Sequence, residues 1–208
     1  MEGDLRRNPL SRRSHVTGFQ PLPTGAVEHE SALERDFVTL TSFLDANAAI
    51  TSQPVTIRFK HWGEHRRYTP DFLVRWNDGR TDIVEIKYRA DLHTQWPRLR
   101  PAFAAARGWA SENCARFCIV TESAIRGPRL ETAKRLLPLR SAPLDLALAE
   151  EALAAVARIG SLTFGTLIEA LPAPREVALT VVWRLLARGK ISVDLTAPIL
   201  PSSRVSAI

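Results

Sequence analysis

The chain has 208 residues and a formal net charge of +6, from 28 Lys and Arg against 22 Asp and Glu. This length allows one domain of moderate size and a second, smaller one. Its two cysteines, Cys114 and Cys118, lack the second pair that a zinc site requires, and no glycine-rich phosphate loop indicates nucleotide binding. We find no signal peptide and no apolar run long enough to cross a membrane, so a cytoplasmic location is expected.

Residues 1–25 contain four arginines among prolines and glycines and show no apolar periodicity. They predict a basic flexible arm. Arg12 and Arg13 are candidates for contacts with DNA phosphates, although a plain disordered terminus would have the same composition.

The segment His29–Leu44 predicts a helix, because its apolar residues recur at helical spacing. Glu34 lies at the edge of the apolar stripe. Ser31 and Glu34 also fit a capping box, in which the serine is the N-cap and the glutamate returns a hydrogen bond. Spacing alone therefore favours a capping role for Glu34.

Gln53–Phe59 predicts the next strand, and a turn rich in basic and aromatic residues follows it. Lys60, Arg66 and Arg67 in this region are candidate DNA contacts, since basic and aromatic residues together suit backbone contact or base stacking. A solvated hairpin tip is equally consistent with this composition.

Two short apolar runs, Phe72–Val74 and Ile83–Ile86, predict strands joined by a tight hairpin at Asp78-Gly79. Folding at this turn brings Asp71 within one rung of Glu85. Because side chains alternate along a strand, Glu85 and Lys87 point to the same face.

An Asp followed fourteen residues later by Glu-x-Lys is the layout of a PD-(D/E)XK nuclease core. Two carboxylates and an ammonium on adjacent strands could hold Mg²⁺ against a phosphodiester, since Mg²⁺ prefers oxygen ligands and promotes hydrolysis. The alternative is an ordinary hairpin with a surface Asp and a Glu/Lys pair.

A long helix, Thr94–Asn113, and a buried strand, Phe117–Thr121, follow and complete an α/β core with a mixed sheet. The aromatic residues of this helix are predicted to lie in the core: Trp96, Phe103 and Trp109.

The helix predicted at Pro128–Leu137 carries Arg129, Lys134 and Arg135, which face either solvent or phosphates. Residues 1–140 hold 22 Lys and Arg against 16 Asp and Glu, whereas residues 141–208 balance at 6 against 6. The basic excess thus suits a polyanionic substrate for the first part of the chain.

Residues 141–208 predict a separate small domain that is winged-helix-like. A linker precedes three helices and a strand, in the order Leu144–Ile159, Thr163–Leu171, Pro174–Arg188 and Ile191–Leu195. The third helix has little Asn, Gln or Ser for base readout. We therefore expect a protein-docking domain, with Arg175, Thr180, Arg184 and Arg188 forming an exposed stripe on that helix.

Three motifs together resemble the TnsA-type endonuclease subunit of heteromeric cut-and-paste transposons, within the restriction-endonuclease-like superfamily. They are Ser-Ala-Leu-Glu-Arg-Asp-Phe from residue 31, Tyr-Thr-Pro-Asp-Phe from residue 68 and Val-Glu-Ile-Lys from residue 84. The resemblance covers roughly residues 15–125. It implies a nuclease domain at residues 26–140 whose catalytic residues are Glu34, Asp71, Glu85 and Lys87.

The resemblance also implies Mg²⁺, with Mn²⁺ as a substitute, held by Asp71, Glu85, the Ile86 carbonyl and Glu34. It reverses the preference for a purely capping role of Glu34. Some family members have Gln at the position of Glu85, and the acid found here makes the metal site more conventional.

The implied function is cleavage of the 5′ strands at transposon ends by a prokaryotic cytoplasmic enzyme that acts on double-stranded DNA. The implied partners are a TnsB-type DDE transposase, which cuts and joins the 3′ ends, and a TnsC-type AAA+ ATPase. A stand-alone restriction enzyme or junction resolvase is an alternative. A catalytically silent DNA-binding assembly protein is another, although the intact Asp71, Glu85 and Lys87 argue against it.

Overall fold

The computed structural model describes residues 17–22 and 25–208, and these residues form two compact units that divide between Ile125 and Arg126. In the part of the chain that is described, no helix has the length and apolar character needed to span a membrane. We refer to the two units as the N-terminal and C-terminal units.

The N-terminal unit alternates short strands with three helices. In chain order its elements are β1 (Gly18–Leu22), β2 (Gly25–His29), α1 (Ala32–Leu44), β3 (Ala49–Ser52), β4 (Ile57–His61), β5 (Glu64–Tyr68), β6 (Phe72–Arg75), β7 (Thr81–Ile86), α2 (Arg89–Glu112), β8 (Arg116–Val120) and α3 (Glu122–Ile125).

A four-stranded sheet in the order β3-β6-β7-β8 forms the centre of this unit. The β7–β8 pair is parallel and the other pairs are antiparallel, so the predicted α/β architecture with a mixed sheet is confirmed and fits a restriction-endonuclease-like core. Phe37 of α1 stacks on Phe72, and Phe103 of α2 packs against Phe117. Strand β7 is buried on both faces, and its buried residues include the charged Asp82 and Glu85 as well as Ile83, Val84 and Ile86.

The strand predicted at Gln53–Phe59 is wrong in its boundaries. Strand β3 ends at Ser52, and Gln53 has a left-handed backbone with φ of 46° while its N–H donates to the Asp71 carbonyl. Pro54 has no N–H with which to continue a ladder. The apolar alternation after Pro54 belongs to β4, which pairs with β5 in a separate two-stranded ribbon.

The basic arm predicted for residues 1–25 does not extend past residue 17, because β1 pairs with β2 in a hairpin. The residues of β1 include too few apolar side chains to indicate a strand from sequence, and only the pairing with β2 reveals this strand. Arg12 and Arg13 lie outside the described residues.

Helix α2 begins at Arg89, five residues before the predicted start. Phe103 is fully buried, as expected, but Trp96 is 41% exposed, with its ring edge-on to Phe103. Trp109 is half-buried. The prediction that all three aromatic residues lie in the core is therefore right for Phe103 and wrong for Trp96.

The C-terminal unit contains four helices and a three-stranded antiparallel sheet in the order β10-β11-β9. Its elements are α4 (Pro128–Leu136), α5 (Leu146–Ile159), β9 (Ser161–Thr163), α6 (Phe164–Glu169), α7 (Arg175–Ala187), β10 (Ile191–Val193) and β11 (Arg204–Ala207). Gly160 and Gly189 follow α5 and α7 with positive φ, as glycine after a helix end should.

The compact units divide at residues 125/126 rather than at the expected 140/141. Helix α4 belongs to the C-terminal unit because Arg135 lies 5.1 Å over the Trp183 ring of α7, and Arg140 donates to the Ala187 carbonyl at 2.9 Å.

This division changes the distribution of charge. Residues 1–125 hold 17 Lys and Arg against 15 Asp and Glu, a net charge of +2. Residues 126–208 hold 11 against 7, a net charge of +4. The basic excess is therefore not confined to the unit with the nuclease motif, and net charge does not identify which unit contacts DNA.

Candidate active site

The loop that enters β6 and the end of β7 bring Asp71 and Glu85 together. Phe72 pairs with Val84, and the same antiparallel register carried one residue further sets Asp71 opposite Glu85. The Asp71 Oδ2 atom accepts a hydrogen bond from the Ile86 N–H at 2.6 Å. The hairpin therefore produces the one-rung proximity that the sequence predicts.

Glu85 is held in place by two side chains. Its Oε1 atom lies 2.8 Å from the Lys87 ammonium, and its Oε2 atom accepts a hydrogen bond from the Tyr68 hydroxyl at 2.6 Å. The Lys87 ammonium also donates to the Ile86 carbonyl at 3.2 Å. Lys87 thus lies between two of the oxygens expected to bind a metal.

Tyr68 was not predicted as a site residue. Its ring packs edge-on against Phe103 and Phe117, which fixes the direction of the hydroxyl toward Glu85. Burial and then the charge of Glu85 raise the pKa of Tyr68, so the phenol stays protonated and remains a donor. The sequence signal that could have identified Tyr68 as a site residue was its position three residues before Asp71, in the Tyr-Thr-Pro-Asp segment.

Glu34 caps the helix that carries it. Its carboxylate accepts from the Glu30 N–H at 2.7 Å and from the Ser31 hydroxyl at 2.8 Å, and Ser31 accepts from the Glu34 N–H at 3.1 Å. Burial raises the pKa of Glu34, and the Lys87 ammonium is near enough to oppose this shift. Glu34 therefore has a capping role and also lies within electrostatic reach of the site.

The structure does not bring Glu34 into one cluster with Asp71 and Glu85. Among residues 17–22 and 25–208, no three His, Cys, Asp or Glu side chains are grouped as metal ligands. The Glu34 carboxylate instead accepts hydrogen bonds from Glu30 and Ser31, the two residues that precede α1.

The site is short of positive charge. Burial and then the Glu85 carboxylate raise the pKa of Asp71 well above its usual range, and the Lys87 ammonium only partly opposes this. Burial lowers the pKa of Lys87, but the charges of Asp71 and Glu85 outweigh it and raise the pKa overall. Two carboxylates therefore share one ammonium.

Residues 47–122 match the family model described as the TnsA-like endonuclease N terminal. This match supports a TnsA-type endonuclease domain in the N-terminal unit. The matched residues include Asp71, Glu85 and Lys87, whereas Glu34 precedes them. Comparison with curated proteins gives no match.

The oxygen atoms of this TnsA-like domain suit a hard divalent cation. Asp71, Glu85 and the Ile86 carbonyl supply only oxygen donors, as Mg²⁺ prefers. The Asp71 Oδ1 atom accepts no hydrogen bond from any described residue, and the site carries an excess of negative charge. The residues present therefore fit the implied metal.

The predicted DNA contacts of the chain fall on two different elements. Lys60, Arg66 and Arg67 are exposed on the β4–β5 ribbon, where Arg66 lies 3.0 Å from Glu64. The others are exposed on α4 of the C-terminal unit: Arg129, Lys134 and Arg135.

The exposed stripe predicted on α7 is wrong at two of its four positions. Arg184 and Arg188 are half-buried, and Arg188 donates to the Ala142 carbonyl. Helical periodicity predicted that these side chains share one exposed face of α7, but the segment before α5 covers part of that face. Only Arg175 and Thr180 remain exposed.

Proposed function

We propose that this chain is the metal-dependent endonuclease subunit of a heteromeric transposase and that it cleaves the 5′ strands at transposon ends. The observation that supports this most strongly is the Asp71–Glu85–Lys87 arrangement inside a TnsA-like domain. A separate TnsB-type DDE transposase cuts and joins the 3′ ends.

Each side chain of the site has a distinct part in this proposal. Asp71, Glu85 and the Ile86 carbonyl hold Mg²⁺, or Mn²⁺ in its place, with Glu34 near the same charge. The metal supplies positive charge that stabilises the phosphodiester transition state. Lys87, which stays protonated, donates to the scissile phosphate or to the attacking water, and Tyr68 keeps the Glu85 carboxylate in position.

A strand-specific cleavage assay tests this proposal. A duplex that spans a transposon end is labelled on either strand and incubated with the chain, the transposase and the ATPase. We expect 5′-strand cleavage in Mg²⁺ or Mn²⁺ and none in EDTA. Cleavage of branched DNA by the chain alone would support a junction resolvase instead, and cleavage that persists in EDTA would contradict the metal requirement.

We further propose that the C-terminal unit is winged-helix-like and docks the AAA+ ATPase. Helix α7 lies where such a module would present its recognition helix, between α6 and the β10–β11 pair. Two of its three arginines, Arg184 and Arg188, are half-buried, and its exposed start includes Val177, which is 43% exposed. A helix with an exposed apolar residue and few free cations suits a protein surface better than phosphates or base edges.

Substitution of Val177 tests this docking role. Val177→Asp should weaken pull-down of the ATPase at least about tenfold, because a charge would be buried in the interface. The salt dependence of DNA binding should not change, since no phosphate contact is removed. Leu200→Asp, an equal change at an exposed residue before β11, is the control. A reduced salt slope with full ATPase binding would show that the unit binds DNA.

A further inference from the structure

The β4–β5 ribbon has two chemically different faces. Residues directly opposite each other in an antiparallel pair share a face. Arg58 pairs with Arg67 and Lys60 pairs with His65, so these four exposed side chains form one face, which we call the basic face. The other face contains the buried or half-buried residues Ile57, Phe59, His61 and Tyr68.

The basic face is unfavourable for the isolated ribbon. Like charges directly opposite one another destabilise a strand pair, and Arg58 lies opposite Arg67. No side chain of the basic face makes an ion pair or hydrogen bond with a described residue. Arg66 differs, since it lies on the other face and pairs with Glu64 at 3.0 Å. A polyanion on the basic face would remove the repulsion.

Trp62 at the tip of the ribbon also contributes little to the fold. Its side chain is 90% exposed, and among the described residues its ring contacts that of His61 alone, at 4.7 Å between centroids. Trp62 and Gly63 both have positive φ, at 51° and 80°, in a two-residue hairpin turn that favours Asn or Gly over a bulky side chain. An exposed aromatic residue in a strained turn beside cations is suited to stacking on a base.

The ribbon leads directly into the candidate active site. Its last residue, Tyr68, donates to Glu85, and Asp71 follows three residues later. A five-residue strand reaches roughly 17 Å, which corresponds to about five base pairs at 3.4 Å each. DNA that follows the ribbon from Trp62 to its Tyr68 end would therefore reach the candidate active site within about five base pairs.

We propose that the β4–β5 ribbon is a DNA-gripping element of this endonuclease. Its basic face binds the phosphates of the duplex, and Trp62 stacks on a base within about five base pairs of the cut. A two-stranded ribbon fits the major groove, so the fold permits this placement. The inference rests on the proposed endonuclease function, because it assumes that the duplex reaches Asp71 and Glu85.

The phosphate contacts are tested by the salt dependence of binding. Anisotropy of a labelled end duplex is measured with the full chain in EDTA, across a series of salt concentrations. Arg58→Ala combined with Arg67→Ala should lower the slope of log K against log salt by about 1.8, or about 0.9 for each phosphate that is no longer neutralised. Arg80→Ala is the control and should leave the slope unchanged, because Arg80 is already paired with Asp78 in the turn between β6 and β7.

A stability measurement separates this role from a structural one. Arg58→Ala removes the like-charge pair, so its melting temperature should equal or exceed that of the wild type although its DNA affinity falls. An unchanged slope in the double variant, or an equal loss of slope in Arg80→Ala, would contradict phosphate binding by the basic face.

The stacking contact has its own readout. Trp62→Ala should weaken binding about fivefold to a hundredfold without changing the salt slope, since the stacking on one base is removed and no charge is changed. It should also abolish the fluorescence change of a 2-aminopurine placed within about five base pairs of the cut. Full DNA affinity in Trp62→Ala, with weaker pull-down of the transposase, would show that the tip docks a protein.

Binding in EDTA is independent of cleavage, so the two proposals can fail separately. DNA binding that depends on Arg58 and Arg67, without any metal-dependent cleavage, would contradict the endonuclease function and still support DNA binding by the ribbon. Metal-dependent cleavage by the double variant, with an unchanged salt slope, would contradict DNA binding by the ribbon and still support the endonuclease function.

Discussion

Replacement of Asp71 by Asn should abolish 5′-strand cleavage while leaving the metal-free protein at least as stable as the wild type. Asn keeps an acceptor for the Ile86 N–H but removes a negative charge that lies opposite Glu85. We expect cleavage to fall by at least about 10²–10³-fold, the usual effect of removing one group that supports charge stabilisation in a transition state. The free energy of unfolding should rise by about 0.2–1 kcal/mol, as for other opposed like charges.

Cleavage of a labelled duplex and thermal unfolding without metal measure the two effects. In a transposition assay, loss of 5′ cleavage with 3′ joining retained should convert simple insertions into cointegrates. Asp78→Asn is the matched control, because Asp78 is exposed in the hairpin turn and bonds only to Arg80. Loss of both cleavages in an assembled complex would contradict the proposed division of labour between the two enzymes.

Replacement of Lys87 by Met should both inactivate the enzyme and destabilise the metal-free protein. The ammonium is the cation between Glu85 and the Ile86 carbonyl, and without it two carboxylates face each other uncompensated. Breaking a buried ion pair costs about 3–5 kcal/mol. Because the Lys87 side chain is 30% exposed, we expect a smaller loss of about 2–3 kcal/mol in unfolding free energy.

Two further measurements identify the cause of this destabilisation. Mg²⁺ should raise the melting temperature of Lys87→Met more than that of the wild type, since the metal replaces the missing cation and binds only the folded state. Adding Asp71→Asn to Lys87→Met should recover part of the lost stability, a coupling that a double-mutant cycle measures. Lys190→Met at an exposed residue is the control. Equal stability of Lys87→Met and the wild type would contradict this electrostatic account.

The local pattern of the chain determined the central hairpin. Strand periodicity around Asp78-Gly79 predicted β6 and β7 and brought Asp71, Glu85 and Lys87 together, as the structure shows. The capping box predicted Ser31 as the N-cap of α1, whereas apolar spacing placed the start of this helix at His29, which the structure puts in β2. Glycine and proline likewise marked the ends of α5 and α7. All of these depend on residues only a few positions apart or on one tight turn, so short-range periodicity and turn chemistry are sufficient.

Tertiary structure decided the features that depend on distant segments. Tyr68 supports Glu85 only because Phe103 and Phe117, from α2 and β8, fix its ring. Pairing placed Arg58 and Arg67 on one face of the ribbon and Arg66 on the other. The packing of α4 on α7 moved the unit boundary, and with it most of the basic excess, to the C-terminal side. Composition records which charges are present, but only the fold determines which of them share a surface.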